Sequence, residues 1–132
     1  MQGVPPPIRN LELRDRLNDL LGEALSKSGQ AATLYALREF LRLITVQGRG
    51  EVPCDVLVGA VKNAFREAGL EVPAMEAIGN LFDSKLLHRT GNGGERTRVI
   101  PSEELRRELS AVISRAEAYC RALETLCQRE VR

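Results

Sequence analysis

The sequence predicts a mainly α-helical fold carrying one small β-hairpin, on three observations. Apolar residues recur at three- and four-residue spacing through most of the chain. The stretch "LLHRTGNGGERTRVIP", Leu86 to Pro101, alternates its side chains on both sides of a glycine-rich turn. A long amphipathic run then reaches the C-terminus. With 132 residues and 43% apolar content, one compact domain with an extended arm is expected.

Taken in order, residues 1–9 form an extended arm, because three consecutive prolines fix the backbone and remove its donors. Asn10 caps a first helix over residues 10–29, with Leu13, Leu17, Leu20, Leu21, Ala24 and Leu25 on one face and an exit near Gly29. A second helix starts at Ala31. Its stripe of Leu34, Leu37, Leu41 and Ile44 is widened by Tyr35, Phe40 and Leu43, which puts it at the centre of the core. It ends at the glycines of "QGRG".

The segment "EVPCD" is too short and proline-interrupted for more than an edge strand or link. A third helix begins at Cys54 or Asp55, buries Leu57, Val58, Val61 and Phe65, and stops at Gly69. Pro73 opens a fourth, which runs to about Lys85 with Ile78, Leu81 and Phe82 inward. The hairpin turns through Gly91, Asn92, Gly93 and Gly94, where positive φ angles cost little. Ser102 then caps a last helix over residues 102–132, with Glu103 and Glu104 at the positive end of its dipole. Leu105, Leu109, Val112, Ala116, Tyr119, Leu123 and Leu126 make a coiled-coil-like seam, widened by Ile113, Cys120 and Cys127.

Composition excludes more than it selects. Nineteen Lys and Arg against eighteen Asp and Glu leave a formal +1, so any case for nucleic acid must be local. Three cysteines, Cys54, Cys120 and Cys127, without a CxxC pair suit a reducing cytoplasm better than a disulfide framework or a zinc site. As small buried hydrophobes, Cys120 and Cys127 belong to the seam. Neither a membrane-spanning apolar run nor the pattern of a secretion signal is present, so a cytoplasmic protein with no membrane partner is expected. His88 is the one histidine, which leaves no parts for a His-based metal site or a catalytic triad. The glycine-rich tip also lacks the Gly-Lys-Ser/Thr ending of a phosphate-cradling loop. No enzyme, metal or cofactor is therefore expected. The absence of Trp, with only three Phe and two Tyr, argues against stacking platforms for single strands.

The order of three helices, an extended link after the first of them and a Gly-tipped hairpin after the third, over residues 31–101, resembles a winged helix-turn-helix domain. "AIGNLFDSKLLHRTGNGGERTRVIP" is similar to the third helix, its exit and the wing of bacterial winged-helix regulators. The added N-terminal helix and long C-terminal dimerisation helix resemble the dimeric MarR, PadR and ArsR types. The resemblance implies a third helix in the major groove and a wing on the adjacent backbone. Outward positions of that helix are then Ala74, Glu76, Ala77, Asn80, Asp83 and Ser84. Asn80 suits adenine edges and Ser84 a phosphate or base. Glu76 and Asp83 carry the wrong sign for a phosphate-lined groove. The weight falls on the wing, where Lys85, Arg89, Arg96 and Arg98 face a lone Glu95, with His88 beside them.

The expected function is thus a homodimeric DNA-binding protein, either a transcriptional regulator or a plasmid or phage accessory factor. Double-stranded DNA would be held by Asn80, Ser84, Lys85, Arg89, Arg96 and Arg98, and the seam would pair two copies so that their third helices lie about 34 Å apart. The alternative is a winged-helix protein-interaction module within a larger assembly, its seam taking a partner's helix. For the seam itself a third outcome stands open: the last helix folds back on its own domain.

Overall fold

The computed structural model describes residues 7–26, 28–48, 50–91 and 97–131, apart from the side chains of Leu25, Ser28, Gln47 and residues 126–131. Nine elements follow one another: α1 (Leu11–Ser26), α2 (Ser28–Gln47), β1 (Val52–Pro53), α3 (Cys54–Ala68), α4 (Ala74–Asp83), β2 (Leu87–Thr90), β3 (Arg98–Pro101), α5 (Glu103–Arg107) and α6 (Leu109–Val131). The chain is mainly α with a small antiparallel sheet. The prolines before Pro7, the turn residues Asn92 to Gly94, Glu95 and Arg96, and the side chains of Leu25, Leu126 and Cys127 lie outside the described residues.

The helix α2 is the hub, as its wide apolar arc requires. Ala32 to Leu37, Phe40, Leu41 and Ile44 are all buried, and α1, α3, α4, α6 and β1 pack around them. It begins at Ser28 rather than Ala31, with Gly29 inside its first turn. Glycine is tolerated there because first-turn amides have no intrahelical partner to lose, and packing offsets its low helix propensity. Asn10 does cap α1, its Oδ1 accepting from the Leu13 amide at 2.9 Å.

The short β1 is an edge strand on β3, with Val52 opposite Val99, and the sheet order is β1-β3-β2. Alternation splits the hairpin between two faces. Leu87 and Arg89, opposite Pro101 and Val99, share the face turned to the core; His88 and Thr90, opposite Ile100 and Arg98, share the other.

Two helices of the same domain end in the same way. At the end of α3, Leu70 N donates to Phe65 O at 2.8 Å and Gly69 takes φ 72°. At the end of α4, Leu86 N donates to Leu81 O at 3.2 Å, Lys85 N to Phe82 O at 3.0 Å, and Lys85 takes φ 65°. This hydrogen-bond pattern places one residue in the left-handed region, where glycine is unstrained and an L side chain costs roughly 1 kcal/mol. Among the described residues Lys85 is the one non-glycine with positive φ.

The expected single C-terminal helix is two. Ser102, buried, caps α5 by accepting from the Leu105 amide at 3.2 Å, and Arg106 and Arg107 hold the Glu103 carboxyl below the usual range, chiefly through the Arg106 hydrogen bond. The helix then breaks at Glu108, with φ −121° and ψ 33°. The reason lies at the other end of the chain: the Glu108 carboxylate accepts from the backbone amides of Arg9 and Asn10, the latter at 2.8 Å.

Beyond the break, α6 runs antiparallel to α2 along its length. Arg42 makes two parallel bonds to Glu117 at 3.0 and 3.2 Å, and Arg38 reaches Glu124 at 3.3 Å. Tyr119 donates to Asn18 of α1 at 2.9 Å. Leu105, Val112, Ala116, Cys120 and Leu123 are buried against this body, while Leu109, Ile113 and Tyr119 are half-buried.

Candidate nucleic-acid interface

The fourth helix and the hairpin meet at Lys85 and Leu86, so the residues singled out for DNA contact occupy one side of the molecule. Their individual circumstances differ. Asn80 is half-buried, and its Nδ2 donates to Oγ1 of Thr33 in α2 at 3.1 Å. Thr33 is itself buried, so this bond ties α4 to the hub. Ser84 Oγ donates to the Leu81 carbonyl at 2.8 Å, a local bond that closes the last turn.

The exposed arc of α4 is also phased differently from expectation. Ala74 and Ala77 are buried, not outward, because α4 is wrapped by both α2 and α3 and these small side chains permit close approach. The outward residues are Met75, Glu76 and Asp83, with Gly79 half-buried between them. That arc holds two carboxylates and no cation. It is poorly matched to a groove lined with phosphate.

The hairpin side is the opposite. Lys85, His88 and Arg89 are exposed, and none is engaged by an ion pair among the described residues. The Arg89 guanidinium lies over the Phe82 ring, 4.6 Å from its centroid. Arg98, on the other face of the sheet, pairs with Glu51 beside β1 at 3.4 Å. Arg96 lies outside the described residues.

Two participants escaped the sequence. Phe82 reads there as a plain core residue, yet it is half-buried and supports Arg89; Glu51 reads as a linker residue, yet it neutralises Arg98. Both contacts arise from chain reversals, so spacing carries no trace of them.

On the far side, an open groove of about 570 Å³ lies between the end of α2 and the start of α6, lined by Ile44, Thr45, Leu109 and Ile113 among others. Val46 is 83% exposed on the same turn of α2. Among the described residues there is no cluster of three or more metal-ligating side chains, and no helix long and apolar enough to cross a membrane. Burial pushes the Cys120 thiol up to about 12, which leaves it protonated and chemically quiet. No family model, curated protein or solved structure matches this chain.

Proposed function

We propose that the chain is a non-catalytic winged-helix module that binds duplex DNA, in the manner of a transcriptional regulator, by gripping the phosphate backbone with its hairpin edge. The order α2-β1-α3-α4-β2-β3, with β1 added to β3, supports the winged-helix reading. The observation that carries the DNA reading is the trio Lys85, His88 and Arg89, exposed together on one edge without carboxylate partners among the described residues. Affinity would come from phosphate contacts and vary little with sequence, because α4 offers acids outward and its Asn80 is engaged within the fold. The reading draws nothing from self-association through α6.

The test is fluorescence anisotropy with a random-sequence duplex at low and moderate salt. Micromolar binding that weakens steeply with salt is expected. Changing Arg96 and Arg98 together to Ala should lower the affinity and reduce the salt slope by about 2, one unit per lost phosphate contact. An unchanged slope overturns this mechanism.

A second reading, a protein-interaction module, is favoured by the apolar groove between α2 and α6 beside the exposed Val46. It is the reading to adopt if the chain ignores both duplex DNA and heparin at low salt.

A further inference from the structure

Lys85 poses a problem of chemistry as much as of conformation. The same hydrogen-bonded exit closes α3 and α4, and at α3 the left-handed position is filled by Gly69, with nothing within 4 Å of an added Cβ. Space does not dictate the choice between glycine and a side chain there. At α4 the chain keeps a lysine at φ 65°, in a conformation that strains every L residue. A strained lysine is explained when its ammonium is needed at that point.

What it is needed for is indicated by its neighbours. Lys85 follows Phe82 by one turn, and the guanidinium of Arg89 lies 4.6 Å from the centre of the Phe82 ring. Held by the ring, Arg89 loses less freedom when it meets an anion than a side chain waving in solvent. The two cations therefore flank one aromatic ring at the junction of α4 and β2, and no ion pair among the described residues occupies either.

We infer that Lys85 and Arg89 form a preorganised clamp for a backbone phosphodiester of duplex DNA, with Phe82 as the residue that positions Arg89. The inference rests on the DNA reading above and deepens it: the clamp, not the outward face of α4, sets where the backbone sits. Strain at Lys85 is the structural cost of the clamp. The competing structural account is that the Lys85 charge simply complements the C-terminal dipole of α4.

Anisotropy and thermal melting of the same full-length variants separate these accounts. Lys85→Gly should raise Tm by about 2 °C, since relief of strain outweighs the greater chain freedom that glycine loses. It should also weaken duplex binding about tenfold and reduce the salt slope by about 1. Lys85→Arg should keep both the affinity and the slope. Phe82→Leu, which keeps an apolar side chain but removes the ring, should weaken binding about threefold, and Phe82→Tyr should restore it.

If Lys85→Gly lowers Tm and leaves binding unchanged, the dipole account holds and the clamp is wrong, although the DNA reading stands. Equal affinity of Phe82→Leu and Phe82→Tyr removes the positioning role of the ring and overturns the clamp as drawn. If the wild-type chain does not bind the duplex at low salt, both the clamp and the DNA reading fall.

Discussion

Asn80 shows how one contact redirects the reading of a residue. As an isolated side chain on a helix it has the chemistry to read adenine; in the fold its amide donates to Thr33 Oγ1, which is 1% exposed. Replacing Asn80 with Ala leaves the threonine hydroxyl without this donor in a site closed to water. A loss of about 1–2 kcal/mol in urea unfolding is expected, with duplex affinity corrected for folded fraction unchanged. Wild-type stability combined with a loss of DNA affinity would return Asn80 to the interface. The acids beside it, Glu76 and Asp83, are exposed and need no such accounting.

Among the elements, the C-terminal pair α5 and α6 departs most from its sequence pattern. The heptad-like seam continues across Glu108, and nothing local stops a helix there: no glycine, no proline, no β-branched run. The break serves the N-terminus, where the first amides before and at the cap of α1 have no helical partner and the Glu108 carboxylate supplies two acceptors. Glu108→Ala should lower the stability by about 1–2 kcal/mol and speed hydrogen exchange at Arg9 and Asn10 more than elsewhere. Unchanged exchange at those two amides would show that the clasp is not formed in solution. The contact joins residues nearly a chain length apart, so no window of sequence contains it.

For the whole molecule the question is what covers the seam. Val112, Ala116, Cys120 and Leu123 are buried within the chain, alongside ion pairs from α6 to Arg38 and Arg42 of α2. A second copy that used these side chains would first have to displace α2. Val112→Ala should therefore cost about 2 kcal/mol as a core deletion, with a Tm independent of protein concentration in both wild type and variant. A Tm that rises with concentration, or a variant whose mass in solution halves, would assign the seam to an interface between copies.

The elements themselves were determined by the sequence alone, because their signals are local. The breadth of the apolar arc makes α2 the hub, Asn10 and Ser102 sit at caps, Pro53 confines β1 to an edge, and the alternating arms flank a glycine turn. The partners were decided by the tertiary structure. Whether a seam meets a twin or its own α2, whether Asn80 faces DNA or Thr33, and whether Arg98 is free or paired with Glu51 depend on which surfaces the chain brings together across long separations. Periodicity specifies that a face must be covered, since apolar area leaves water wherever it can; it does not specify by what. The left-handed Lys85 is the sharpest instance. Its conformation follows from the hydrogen bonds that end α4 and turn the chain into β2, and one-dimensional pattern reading has no term for that geometry.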